Sequence, residues 1–161
     1  MTNEDYMRIA LEEAKIAYAQ GEVPIGAVVV RGDEVIASAH NTTMNGHDPT
    51  GHAELNAIRK ACAKLSTARL PDCSLYVTVE PCSMCSGGIV LSRIKRLYIG
   101  ARDPKAGGCV SLYNIVGDPR LNHRVEMELG LLEEECSGLM KQFFRDRRGK
   151  KINEFSEETQ E

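Results

Sequence analysis

Two short stretches of the sequence, His52-Ala53-Glu54 and Pro81-Cys82-Ser83-Met84-Cys85, limit the folds that this chain can adopt. Each stretch stands at the start of a predicted helix. Two cysteines three positions apart in a first helical turn point to the same side, and a helix N-terminus stabilises their thiolate form. Imidazole and thiolate are ligands that zinc binds in tetrahedral sites. We therefore expect a fold in which the two helix starts meet and place His52, Cys82 and Cys85 around one zinc ion.

The rest of the chain alternates between strand-like and helix-like patterns. Helices are predicted from apolar residues at helical spacing, and strands from short β-branched runs bounded by turn residues. Gly32-Asp33 joins the first two strands as a hairpin, which makes that pair antiparallel. Strands that alternate with helices predict an α/β fold, a three-layer α/β/α sandwich with a central five-stranded mixed sheet. The predicted helices are 3–20, 52–64, 81–92 and 133–148, and the predicted strands are 25–30, 35–39, 75–79, 97–101 and 125–129.

Composition narrows the class of protein further. The chain has 161 residues, of which 42% are hydrophobic, and its net charge is -3, so we expect one globular domain that does not coat polyanions. The polar N-terminus does not resemble a signal peptide, and no run approaches the roughly 18 apolar residues of a membrane span. Six cysteines in such a chain indicate reduced thiols in the cytoplasm rather than a disulfide framework. Cys62 and Cys136 are predicted to be core residues, whereas the roles of Cys73 and Cys109 stay open.

Glu54 gives the candidate zinc site a chemical purpose. Taken singly, a lone histidine is usually structural and a Cys-x-x-Cys pair is often a redox motif. Three protein ligands leave one position of a tetrahedral zinc open for water, and zinc lowers the pKa of that water from 15.7 toward about 7. A carboxylate two residues after the histidine reaches the same pocket and can carry the proton to a substrate ring and then to a leaving amine. Together these residues match the H-x-E and P-C-x-x-C pattern of zinc-dependent base deaminases.

The chain also resembles bacterial tRNA-specific adenosine deaminases, which have a cytidine deaminase-like fold. The similarity extends to about residue 151, and Gly51 stands where that family usually has alanine. The matching segments are 21–28 (GEVPIGAV), 48–54 (DPTGHAE), 75–82 (LYVTVEPC), 92–94 (SRI), 100–103 (GARD), 122–124 (NHR) and 143–144 (FF).

This resemblance implies hydrolytic conversion of adenosine to inosine at the wobble position of a tRNA anticodon. The implied cofactor is one zinc ion per subunit, bound by His52, Cys82 and Cys85, with Glu54 moving protons to N1 of adenine and to the departing ammonia. The implied partners are the anticodon stem-loop and a second copy of the chain in a homodimer. At the target base, Asn41 is expected to hydrogen-bond the purine, the backbone of Ala53 to face it, and Ile25 and Phe144 to pack near its ring. Asp103 and Asn122 are expected to contact the flanking nucleotides, and Lys105 and Arg147 the phosphates.

Two other functions remain open at this point. A deaminase of a free base or nucleoside, such as guanine or cytosine, would share the same zinc residues. The Glu22-Val23-Pro24 and Phe143-Phe144 segments favour the tRNA-acting family. A non-catalytic zinc module that binds RNA would need a fourth protein ligand, for which His47, Cys73 and Cys109 are candidates, none at standard spacing.

The C-terminal end of the chain carries opposite charges in succession. Lysines and arginines crowd positions 141–151, and glutamates follow in a tail, residues 152–161, that we expect to be disordered. The deaminase domain is accordingly assigned to residues 1–151. The cations either suit the negative end of a helix dipole or form a patch that contacts phosphate.

Overall fold

The computed structural model describes the backbone of residues 1–158 and the side chains of residues 1–149. Its elements follow the predicted order along the chain. The helices are α1 (Asn3–Ala19), α2 (Ala53–Leu65), α3 (Ser83–Leu91) and α4 (Glu133–Glu158), and the strands are β1 (Gly26–Arg31), β2 (Glu34–His40), β3 (Cys73–Val79), β4 (Arg96–Ala101) and β5 (Glu126–Leu129).

The five strands form one mixed sheet in the order β2-β1-β3-β4-β5. Strand β1 pairs antiparallel with both β2 and β3, as the hairpin at Gly32-Asp33 requires on one side. Strands β3, β4 and β5 run parallel, because helix α3 and then a long loop carry the chain back between them. The predicted five-stranded mixed sheet is therefore confirmed.

Alternate residues of the central strands face opposite sides of the sheet, because successive side chains in a strand point in opposite directions. Val28, Tyr76 and Tyr98 belong to a core cluster that includes apolar residues of α1 and Cys136 of α4. Val29 and its neighbours on the other face belong to a larger cluster with residues of α2 and α3. Two helices thus cover each face of the sheet, which confirms the predicted three-layer α/β/α sandwich.

Most element boundaries lie within two residues of the sequence-based expectation, and two of the differences affect the candidate site and the C-terminal segment. Helix α3 begins at Ser83 rather than at Pro81, because Cys82 keeps an extended backbone (φ -70°, ψ 178°) and pairs with Gly107 in an isolated bridge. Helix α4 continues past residue 148 to Glu158 and so includes much of the acidic segment. Residues 159–161 lie outside the described part of the chain, and the division of the chain at residue 151 stays a prediction. Within residues 1–158, no helix is both long and apolar enough to cross a membrane.

Candidate active site

The structure brings His52, Cys82 and Cys85 together where two helices begin. His52 is the N-cap residue of α2, Cys82 is the N-cap residue of α3, and Cys85 lies in the first turn of α3. The Nδ1 atom of His52 lies 3.5 Å from the Sγ atoms of both cysteines. Within the described residues these three form the one group of histidine, cysteine and acidic side chains whose ligand atoms all lie within 4.8 Å of one another. The group is compatible with a metal site.

Contacts among the three side chains shift their proton equilibria. A hydrogen bond from Cys85 and the nearby His52 lower the pKa of Cys82 to about 4, although burial acts in the opposite direction. The same contact with Cys82 raises the pKa of the Cys85 thiol. The hydrogen bond with Cys82 also raises the pKa of His52 above its ordinary value. Negative charge is therefore favoured on the sulfur of Cys82, which suits a bound cation.

Glu54 lies beside this group and is 3% exposed. Burial raises the pKa of its carboxyl to about 7. Its Oε1 atom is buried and has no hydrogen-bond partner among the described residues. A buried polar atom without a partner normally marks a place for water, an ion or a ligand. Two thiol sulfurs, one imidazole nitrogen and an adjacent carboxyl with one unpartnered oxygen together fit a catalytic zinc site in which the protein supplies three ligands.

Asn41 connects the loop after β2 to the start of α2. Its Oδ1 accepts a hydrogen bond from the backbone amide of Ala53 at 2.8 Å, and Asn41 itself is 5% exposed. His52 makes no side-chain capping bond, so Asn41 takes the role that an N-cap side chain usually has. Asn56 holds the same loop by donating hydrogen bonds to the carbonyl of His40 and the hydroxyl of Thr42, each at 3.0 Å.

Five of the expected RNA-contacting residues line one groove of about 1010 Å³ between the loop after β4 and helix α4. Phe144 is 45% exposed there. Cations of α4 line the same groove, so the basic helix end faces a concave surface rather than bulk solvent alone. The expected residues in the groove are Ile25, Asp103, Lys105, Phe144 and Arg147, and the further cations are Arg102, Lys141, Arg145 and Arg148.

Arg147 is held by contacts within the protein. Its Nη1 donates to the carbonyl of Gly21 at 3.4 Å, and its guanidinium carbon lies 5.5 Å from the centre of the Phe143 ring. Asn122 is not among the residues that line the groove. Its Oδ1 instead accepts a hydrogen bond of 3.1 Å from Nη1 of Arg93, just beyond α3. The structure therefore separates Asn122 from the five expected RNA contacts that line the groove.

Glu80 is a buried residue of the site region that sequence reasoning missed. It is 3% exposed and follows β3 directly, immediately before Pro81-Cys82. Its carboxylate accepts hydrogen bonds from the loop after β4. Burial alone would raise its pKa, but the hydrogen bonds from Ser111, Val110 and Asp103 outweigh that effect and lower it. A charged residue at the end of an otherwise apolar strand was the available sequence signal.

Several large apolar side chains are exposed on α3 and on the loop after β4. Met84 and Leu91 are 36% and 78% exposed, and they lie seven residues apart on α3, on the same side of the helix. Val110, Leu112 and Tyr113 in the loop are 36%, 52% and 56% exposed. We call these five residues the apolar α3 patch.

Comparisons with known proteins agree with this geometry. The model of the MafB19-like deaminase family matches residues 1–148. A tRNA-specific adenosine deaminase of Aquifex aeolicus is 50% identical over 145 residues, which cover 90% of this chain and 95% of that protein. A solved structure from studies of A-to-I editing by tRNA:A34 deaminases at the wobble position of transfer RNA is 44% identical, covers 84% of this chain and 98% of its own, and superposes with a TM-score of 0.81. A guanine deaminase from Nitrosomonas europaea is 25% identical, with a TM-score of 0.77 and coverage of 88% and 84%.

Proposed function

The chain belongs to the family of tRNA-specific adenosine deaminases, and from this membership we propose that it converts adenosine to inosine at the wobble position of a tRNA anticodon. The observation that carries the proposal is the buried carboxyl of Glu54, whose Oε1 has no hydrogen-bond partner among the described residues, beside the cluster of His52, Cys82 and Cys85. The cluster supplies metal ligands, and the carboxyl supplies a proton carrier.

The residues of the cluster fit one zinc ion per subunit. Nδ1 of His52 and the sulfurs of Cys82 and Cys85 would hold it. Zinc in such a site activates a water molecule for attack at neutral pH. Glu54 would carry one proton of the water to N1 of the adenine and the second proton of the same water to the amino group, which leaves as ammonia. A carboxyl whose pKa lies near 7 is suited to both directions of transfer.

The groove between the loop after β4 and α4 supports an RNA substrate. Bases of single-stranded RNA stack on exposed aromatic rings, and Phe144 offers such a ring at the groove. Lys105 and Arg147 stand in the same groove with further cations of α4, where they would contact phosphates. Ile25 packs at the same place, and Asp103 would contact a flanking nucleotide. A free base has no phosphate for these cations, so the groove favours RNA over free guanine or cytosine.

At the base itself, Asn41 and the backbone of Ala53 would face the purine. Because Oδ1 of Asn41 already accepts the amide of Ala53, its NH₂ group is what remains to serve the base. Asn122 would contact a nucleotide on the other flank, through the surface that it shares with Arg93. A non-catalytic zinc module is disfavoured, because His47, Cys73 and Cys109 do not join the metal-compatible group of the described residues.

We further propose that the chain acts as a homodimer in the cytoplasm. The apolar α3 patch supports the dimer, since large exposed apolar side chains grouped on one helix and its neighbouring loop are typical of protein interfaces. The occupant that fits best is a second copy of the chain, related by a twofold axis. A tRNA substrate and thiols that form no disulfide support the cytoplasm.

The function is tested with purified protein and an anticodon stem-loop that carries adenosine at the wobble position. Free guanine, cytosine and cytidine are assayed separately. We expect ammonia release from the stem-loop alone, and release from guanine alone would contradict the proposal. Glu54→Ala should keep one zinc per chain and lose at least about a hundredfold in kcat, the usual contribution of a proton carrier. Glu126→Ala is the control, since Glu126 is exposed on β5 and pairs with Arg96.

A further inference from the structure

One carboxylate, that of Glu80, accepts five hydrogen bonds from a single loop. Oε1 accepts the backbone amide of Asp103 at 3.1 Å and the hydroxyl of Ser111 at 2.5 Å. Oε2 accepts the backbone amides of Cys109, Val110 and Ser111 at 3.2, 2.9 and 2.9 Å. The first and last of these donors span the segment that we call loop 103–111. Glu80 therefore binds both ends of that loop at one point.

The same loop is pressed against the residues that follow Glu80. The amide of Gly108 donates to the carbonyl of Pro81 at 2.7 Å, and Gly107 pairs with Cys82. A Cβ atom at Gly107 would lie 2.2 Å from Oε2 of Glu80. Glycine is thus needed there for the backbone to approach the carboxylate, and the contact leaves no room for a side chain.

Loop 103–111 also carries residues of the groove. Asp103 and Lys105 line it, and Oδ1 of Asp103 accepts the amides of Lys105 and Ala106 at 3.0 and 3.2 Å. Within residues 1–149, no Lys, Arg or His forms an ion pair with Glu80. Its oxygens meet N–H and O–H donors from the loop instead, an arrangement that suits an ionised carboxylate, which only accepts hydrogen bonds.

We propose that Glu80 is a positioning residue, which fixes loop 103–111 against Pro81-Cys82 and so sets the RNA-binding groove at a constant distance from the metal-binding residues. The inference rests on the proposed function, because the groove matters for catalysis only if RNA occupies it. A neutral amide at this position would turn an NH₂ group toward backbone N–H donors and leave some of them without an acceptor. The loop would then detach from the strand end while the metal ligands stay in place.

The first experiment measures hydrogen exchange in the full-length zinc-loaded chain and in Glu80→Gln. We expect the amides of Cys109, Val110 and Ser111 to exchange at least about tenfold faster in the variant, because glutamine keeps only one oxygen for the five donors and that oxygen is a neutral, weaker acceptor than the carboxylate. Amides within α2 should exchange at the native rate. Ser111→Ala removes one of the five bonds and should give a smaller change in the same direction. Glu126→Gln, on the exposed face of β5, is the control for loss of a carboxylate.

The second experiment measures binding and turnover of the anticodon stem-loop. We expect Glu80→Gln to keep one zinc per chain, to raise KM about tenfold and to leave kcat within about threefold, a loss comparable to one charge-assisted hydrogen bond. Placed in a Glu54→Ala background, it should raise the Kd of the stem-loop by the same factor. A residue that only stabilises the fold would lower the unfolding temperature without changing KM for the folded, zinc-loaded fraction.

The inference is overturned if exchange of the three amides is unchanged, or if exchange accelerates while KM and Kd keep their native values. These outcomes differ from failure of the proposed function. If the proposed function is wrong, the unaltered chain will release no ammonia from the stem-loop. The hydrogen-exchange result will still report whether Glu80 holds loop 103–111.

Discussion

The side-chain oxygen of Asn41 accepts a hydrogen bond from the backbone amide of Ala53 at 2.8 Å. Asn41 thereby caps α2, whose N-cap residue is His52 of the metal-compatible group. The resemblance to tRNA-specific adenosine deaminases assigned both Asn41 and Ala53 to the purine. One amide side chain would thus have two tasks under the proposed function, since its oxygen holds the helix and its NH₂ group is available to the base.

Substitution of Asn41 separates these two tasks. Asn41→Asp keeps an acceptor for the amide of Ala53 but has no NH₂ donor, whereas Asn41→Ala lacks both. We expect Asn41→Ala to lose about 1 kcal/mol of unfolding free energy, as other lost caps do, and Asn41→Asp to lose less. Both should lower kcat/KM at least about tenfold. Urea unfolding and the stem-loop assay measure the two effects, and native activity of Asn41→Asp would contradict a base contact by the amide.

Phe144 should affect RNA binding without affecting stability. Its ring is 45% exposed at the groove, so Phe144→Ala removes little buried surface. Loss of a base-stacking ring costs about 1–3 kcal/mol, so the Kd of the stem-loop should rise at least about fivefold. Phe144→Tyr should bind like the unaltered chain. Ile16→Ala is a matched control, because Ile16 is also 45% exposed but lies on α1. An equal loss of affinity in that variant would contradict base stacking on Phe144.

Local patterns were sufficient for much of the fold. Val28 and Val29 illustrate why, since alternation in a strand decides which face each residue occupies, and both faces of this sheet are apolar. The metal-compatible residues could also be predicted from the sequence, because ligand chemistry restricts the residue types and their spacing. The role of Glu80 could not be predicted from the sequence, because its partners lie 23 to 31 positions away in a loop whose path no periodicity predicts. The start of α3 was misplaced for the same reason, since Gly107 holds Cys82 in an extended conformation.

Removal of zinc should change the reactivity of one cysteine selectively. Cys82 is half-buried, and we expect iodoacetamide to alkylate it once a chelator has taken the metal, with protection restored by added zinc. Cys73, Cys109 and Cys136 should react slowly in both states, because burial raises the pKa of their thiols to about 11, 12 and 12. Cys62, partly exposed on α2, is the internal reference that zinc should not affect. Mass spectrometry of the labelled peptides measures each rate. Equal labelling of Cys82 with and without zinc would exclude it as a ligand.

The proposed dimer makes a further prediction for Leu91. This side chain is 78% exposed on α3, and a glutamate there would be buried without a partner in a dimer formed through the apolar α3 patch. We expect Leu91→Glu to weaken dimerisation at least about tenfold in sedimentation equilibrium, because an unpaired buried charge is costly. Ile16→Glu, on the exposed side of α1, should assemble like the unaltered chain. A monomeric unaltered chain, or a Leu91→Glu chain that still dimerises fully, would rule out this interface.

The metal-compatible residues stand at the ends of helices that pack on the sheet, whereas much of the groove comes from loop 103–111 and the outer helix α4. Under the proposed function, chemistry and substrate choice would therefore lie in parts of the chain that a protein engineer can vary separately. In a library that randomises positions 104–106 and the exposed groove positions of α4, we expect individual variants to bind different nucleic-acid sequences beside the same metal-compatible residues. Its members should fold as long as the amides of Cys109, Val110 and Ser111 still meet the carboxylate of Glu80.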